Sequence, residues 1–187
     1  MKLYGSQTSP FVRHCRIALN QGGHEYEFIE IDAAAAGEKS PTKKVPMLEA
    51  DGMRLTDSSS ILKYVREKSG GSFMPDLRDF ELFCMTNTVM DSAINAFLLG
   101  KNGVTADTAG YIGRQNQRVE SGLDELNTLV GNQEISMSDG ITRLACLLDW
   151  GLFRNRFSID SRDNLKSVLD IANADSFFTA TAIPADA

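Results

Sequence analysis

A chain of 187 residues, 42% apolar and 24% charged, has material for one large domain or two modest ones, each with a core. Its net charge of −6 argues against nucleic acid as a partner, because phosphate binding needs a basic face, and no apolar run approaches the roughly 18 residues that span a bilayer. Three widely spaced cysteines (Cys15, Cys84, Cys146), two histidines (His14, His24) and an N-terminus without an apolar signal core predict a cytoplasmic protein with reduced thiols and no metal.

In chain order, residues 2–4 read as a short strand. Residues 10–21 read as a helix with Phe11, Val12, Cys15, Ala18 and Leu19 on one face, ended by Gly22-Gly23. Tyr26, Phe28 and Ile31 with intervening glutamates suggest a second strand, and residues 33–41 are a loop or a short helix. Residues 45–50 and 53–55 form a hairpin around Asp51-Gly52. A helix over 58–67 follows, with Ile61, Leu62 and Val65 inward. Ser69-Gly70-Gly71-Ser72 and Pro75 mark a linker. Beyond it the pattern is helical only, over 77–99, 106–130, 138–153 and 162–174, with breaks at 100–103 and 131–134. The predicted class is α/β plus all-α, with domains at 1–75 and 76–187.

Three strings carry chemistry. Ser9-Pro10 is a well-made helix start: serine accepts an orphan N–H, and proline loses nothing at the first helical position. The same geometry would also present a hydroxyl donor and a positive helix end to a ligand thiolate. Val45-Pro46 is a strand start; a cis bond there would turn the Val45 backbone outward to pair with an extended peptide, whereas a trans bond is the commoner state. Asp57-Ser58 opens a helix, and could equally hold an ammonium at Asp57 and a carboxylate at Ser58.

Taken with Thr8-Ser9-Pro10-Phe11-Val12-Arg13, Lys44-Val45-Pro46-Met47-Leu48 and Leu55-Thr56-Asp57-Ser58, the chain resembles a glutathione transferase of the small bacterial serine type. The resemblance implies a thioredoxin-like domain followed by a helical bundle, in a homodimer. It implies that Ser9 stabilises the glutathione thiolate, that Val45 and a cis Pro46 meet the cysteinyl unit, and that Lys44 approaches the glycyl carboxylate. Asp57 and Ser58 hold the γ-glutamyl end, and Phe11 borders the site. Phe11 with Met85, Thr88 and Asn95 would form the wall for a small hydrophobic electrophile. In the helical half, Ser136-Met137-Ser138-Asp139 matches the family's capping box, with Ser136 as cap, Asp139 reaching back and Ile135 facing Gly140.

Other residues read structurally. Cys15 is a buried small hydrophobe, Tyr4 packs in its strand, and Trp150 and Phe153 pack in the helical core. Arg13 and His14 lie on the solvated side of the first helix, and Phe80, Phe83 and Met90 offer a dimer face. The expected activity is thiolate attack on an electrophilic carbon, with glutathione as co-substrate. The alternative is a non-catalytic binding or scaffold protein of the same fold, against which Ser9 and the Asp57-Ser58 pair argue.

Overall fold

The computed structural model describes residues 1–131, 135–185 and 187; most of the predicted break at 131–134 lies outside them. The elements run β1 (Lys2–Gly5), α1 (Pro10–Gln21), β2 (Glu27–Glu30), α2 (Ala33–Lys39), β3 (Met47–Ala50), β4 (Met53–Leu55), α3 (Ser58–Lys68), α4 (Leu77–Lys101), α5 (Gly110–Gly131), α6 (Asp139–Phe153), α7 (Asp163–Ala174) and α8 (Ser176–Thr179). They form two units, Met1–Pro75 with Asn173–Ala187, and Asp76–Ala172. Residues 33–41 are thus largely helical, and α8 is an element the sequence pattern does not reveal.

In the first unit a four-stranded sheet has the order β2-β1-β3-β4. β1 runs parallel to β2 and antiparallel to β3, and β3 and β4 form the predicted hairpin. Alternation along the strands sends successive residues to opposite faces. Leu3 and Leu48 pair and are both fully buried. Their neighbours Tyr4 and Met47 pair one step along and join Ile31 and Ala36 in a separate cluster.

α1 is closed at both ends by local chemistry. Ser9 caps its start with Pro10 following. At its end Gly23 takes a left-handed φ of 64°, and the His24 and Gly23 amides donate back to the carbonyls of Leu19 and Asn20, a Schellman stop. A Cβ on Gly5 would lie 2.6 Å from both Val12 methyls, so glycine is what lets α1 sit this close to the end of β1. α1 packs on α3 and on α8.

The sequence boundary assigns 76–187 to the helical domain, but the last fifteen residues group with the first unit. Arg13 is the reason. It is buried, not solvated: its guanidinium lies 3.7 Å from the Phe178 ring centroid and donates to the Phe178 carbonyl at 3.0 Å. His14 is also fully buried. The helix-face argument failed here because α1 is covered on more than one side.

The second unit is helical, with α4 packed along α5 and α6. α4 is long and apolar enough to cross a bilayer by length and composition alone; here it packs as a bundle helix. Phe83 and Met90 are buried, which leaves only Phe80 of the expected dimer face exposed. α6 is buried over most of its length, including Trp150, whose ring meets Phe97 edge-on at 5.8 Å.

The cap of α6 differs from the expected one. Ser138, not Ser136, is the N-cap and accepts from the Ile141 amide at 3.2 Å. The Asp79 carboxylate of α4 joins this cap, accepting from the Ser138 hydroxyl and from the Gly140 amide at 3.2 Å. A cap completed by a residue 59 positions away leaves no local pattern. With Ser138 as cap, the predicted Ile135–Gly140 staple falls out of register.

Asp79→Ala should therefore lower stability by about 1–2 kcal/mol, the usual cost of a lost helix cap. Gly140→Ala should also destabilise, since its Cβ would fall 2.3 Å from Asp79 Oδ1. Thermal denaturation checks both; unchanged melting in the two variants would remove Asp79 from the cap.

Candidate functional site

Sheet topology determines where the three strings meet. β1 and β4 both end, and β3 begins, at one edge, because β3 is antiparallel to each: Tyr4 stands opposite Met47, and Leu48 opposite Leu55. The loop to Ser9, the Val45-Pro46 bond and Thr56-Asp57-Ser58 thus all leave the same end of the sheet. Residues 57 and 58 open α3, which packs on α1, so two helix starts flank the strand start.

The loop carrying Ser9 is held by its own bonds. The Ser9 amide donates to the Ser6 carbonyl at 3.1 Å, and the Thr8 amide to the Ser6 hydroxyl at 3.3 Å. Gln7 donates through Nε2 to Glu30 Oε2 at 2.7 Å, anchoring the loop to the end of β2. Ser9 itself is half-buried, and its Oγ accepts from the Val12 amide at 3.3 Å. Capping occupies a lone pair and leaves the hydroxyl proton to donate. The helix-cap and ligand-donor readings of Ser9 are therefore compatible.

The Val45-Pro46 bond is cis. Pro46 is buried, Val45 is half-buried against the cluster of Tyr4 and Met47, and Lys44 is exposed. Among the described residues no backbone hydrogen bond engages the Val45 amide or carbonyl. Asp57 is the N-cap of α3: its Oδ1 accepts from the Ser59 amide at 2.7 Å, and its carbonyl accepts from the Ser60 hydroxyl at 2.8 Å. The Asp57 carboxylate is exposed and the Ser58 side chain is buried.

The glutathione S-transferase N-terminal domain family matches residues 3–73. Maize glutathione S-transferase 1 (Zea mays) is 36% identical over 76 residues, an alignment covering 37% of this chain and 36% of the maize protein. A glutathione S-transferase from Methylobacillus flagellatus, solved with glutathione bound, superposes with a TM-score of 0.87 at 21% identity over 98% of this chain and 99% of that one. One from Methylobacterium radiotolerans, in complex with glutathione sulfonate, gives 0.85 at 21% identity over 98% and 94%. Over residues 3–73 the chain is similar to the N-terminal domain of glutathione S-transferases, and as a whole it has the fold of the solved ones. Its first unit is the thioredoxin-like domain of that fold, and a helical domain follows.

The remaining predicted site residues are spread over the two units. Phe11 stands half-buried in the first turn of α1. Met85, Thr88 and Asn95 lie on α4 of the helical unit, with Thr88 and Asn95 exposed and Met85 half-buried. Tyr4 is not available as a catalytic phenol. It donates to Glu49 Oε2 at 3.0 Å, and burial together with that carboxylate raises its pKa. Cys15 is fully buried, as expected of a packing residue. Burial and the nearby Glu81 raise the Cys84 thiol, which keeps it protonated.

Removing the Asp57 carboxylate should cost α3 its cap. Asp57→Ala is expected to lose about 1 kcal/mol in urea denaturation, and Asp57→Ser to recover most of it, because serine also caps. An Asp57→Ala variant as stable as the native chain would show that the carboxylate does not hold the helix start.

Proposed function

We propose that this chain is a glutathione transferase that ionises bound glutathione and promotes attack of its sulfur on a small hydrophobic electrophile. The observation that carries the reading is the convergence of Ser9, Val45 and Asp57-Ser58 at one end of the sheet. Each supplies a different part of what a γ-glutamyl-cysteinyl-glycine peptide needs. Val45 has a backbone amide and carbonyl that no backbone group engages among the described residues, suited to pairing with an extended peptide. Asp57 Oδ1 is used by the cap, which leaves Oδ2 for the α-ammonium, and Ser58 at the start of α3 suits the neighbouring carboxylate. Lys44 is exposed and can reach the glycyl carboxylate.

Ser9 acts electrostatically. Its hydroxyl donates to the sulfur, and the start of α1 adds the positive end of its dipole, so the thiol releases its proton more readily. The thiolate then forms a carbon–sulfur bond, and the leaving group departs with its electron pair. A serine cannot form a mixed disulfide, so little disulfide reductase activity is expected. Phe11 is the first-unit residue proposed to border the electrophile. As a homodimer, the protein would use exposed Leu77 and Phe80.

An ultraviolet difference titration of bound glutathione tests the reading. The bound thiol should ionise well below the free value of about 8.5. Ser9→Ala should move it back up by roughly one to two units, the worth of a hydrogen bond to a charged group. Ser58→Ala should weaken glutathione affinity with the thiol shift retained. Glutathione bound with an unshifted thiol would favour the non-catalytic binding protein, and absence of binding would remove the glutathione site altogether.

A further inference from the structure

Three helices of the second unit meet at one end. The starts of α4 and α6 are joined through Asp79 and Ser138, and further along Phe97 of α4 packs on Trp150 of α6, so these two helices run parallel. α5 runs back along α4: a Cβ on Gly122 would lie 2.4 Å from Val89 Cγ2, whereas Ile112 faces the same space as Gly100. The end of α4, the connection over 102–109, the start of α5 and the turn after α6 therefore share one end of the bundle.

That end is basic in an acidic chain. Residues 97–114 and 150–158 hold Lys101, Arg114, Arg154 and Arg156 against a single carboxylate, Asp107, while the chain as a whole has a net charge of −6. Lys101 Nζ lies 4.8 Å from the Phe97 ring centroid, and the Arg154 and Arg156 guanidinium carbons lie 5.6 and 5.5 Å from it. The Arg114 guanidinium lies 5.4 Å from the Tyr111 ring centroid. Among the described residues none of these four cations has a carboxylate partner, whereas Arg162 pairs with Glu120 and Asp124, and Lys166 with Asp163. Aromatic faces attract the cations but do not cancel the repulsion among them.

The same end is apolar where it meets water. Leu98, Leu99, Tyr111 and Leu152 are exposed there, Leu98 at 50% and Tyr111 at 56%. Exposed apolar side chains scattered singly are ordinary, but a group of them set among unpaired cations marks a surface that meets a partner. Lysine and arginine carry their charge on apolar stems, and tyrosine joins an apolar ring to a hydroxyl. Such side chains suit the boundary where lipid headgroups meet acyl chains. A nucleic acid would engage the cations and leave the leucines in water.

We propose that this end of the helical unit docks on the surface of an anionic lipid bilayer. Leu98, Leu99 and Tyr111 enter the boundary between headgroups and acyl chains, and Lys101, Arg114, Arg154 and Arg156 meet the lipid phosphates. The acidic remainder of the chain is repelled by the same surface, which turns the molecule basic end first. Leu77 and Phe80, at the opposite end of α4, take no part. The proposal does not depend on the glutathione reading, because every residue in it belongs to the helical unit.

Co-sedimentation of the intact chain with lipid vesicles tests this. Vesicles containing phosphatidylglycerol should bind it at least roughly tenfold more tightly than vesicles of phosphatidylcholine alone, because each basic residue near an anionic surface is worth about fivefold. Raising salt from about 0.01 M to about 1 M, which shortens the screening length from roughly 30 Å to 3 Å, should release it. Lys101→Gln combined with Arg156→Gln should lose roughly 25-fold, the worth of two such charges. Leu98→Ser combined with Leu99→Ser should lose at least roughly tenfold with thermal melting unchanged, since both side chains already face water. The unmodified protein gives a readout that needs no variant. Trp150, the single tryptophan, packs on Phe97 at this end, so anionic lipids brominated near the headgroup should quench its emission. Equal binding to neutral vesicles, vesicle-bound protein with unquenched Trp150, or leucine variants that bind as tightly as the native chain would each overturn the proposal. So would leucine variants that convert a dimer into a monomer while neither form binds vesicles, which would assign the patch to a second copy.

Discussion

Antiparallel pairing of β3 with β1 is the constraint on which the proposed glutathione site depends. With Tyr4 opposite Met47, the residues just before β3 stand beside the loop that follows β1. A slip of one residue would exchange the faces of Met47 and Leu48 and bring a fully buried leucine to the α2 side. The hairpin passes the same register to β4. Its turn residues Asp51 and Gly52 both have positive φ, 49° and 76°, the primed geometry that matches strand twist. Asp51 is also held from α3, where Tyr64 and Lys68 donate to its Oδ2, each at 2.8 Å, and these bonds lower its pKa. The second half of α3 is thereby tied to the same sheet that positions Ser9.

Several polar groups at this end of the sheet satisfy a structural need with one atom or lone pair and keep another available. Ser9 caps with its oxygen and retains its proton; Asp57 caps with Oδ1 and retains Oδ2. Helix starts demand acceptors, and a peptide ligand with a thiolate, a carboxylate and an ammonium demands donors and one acceptor. The two demands fall on the same residues, which is why Ser9-Pro10 and Asp57-Ser58 read as plain helix starts until all three strings are considered together. The cap energy and any binding energy at these sites are then separable only by substitutions that keep one function, as serine does for aspartate at 57.

What was legible in the sequence was local. Helix limits at residues 10–21, the turn at Asp51-Gly52 and the division near Pro75 follow from capping, turn and linker chemistry confined to a few neighbours. What was not legible is long-range. Asp79 closes the cap of α6 from α4, and nothing adjacent to Ser138 signals it. Arg13 reads as a solvated helix residue until Phe178 covers it. Phe83 and Met90 read as an outer face because periodicity identifies an apolar stripe without saying whether the chain's own helices or a second copy covers it. The strings of the proposed site stand out because each sits at an element boundary, where residue type and backbone geometry are most tightly linked.

The sheet end would hold an anion through neutral groups. At the sheet end, Ser9 and the openings of α1 and α3 offer neutral hydroxyls, amides and helix dipoles, which act over hydrogen-bond distances. Neutral donors suit a thiolate that must still react, because a full cation paired to the sulfur would stabilise it as a salt and blunt its attack. The proposed activation at the sheet end therefore needs no full cation beside the sulfur.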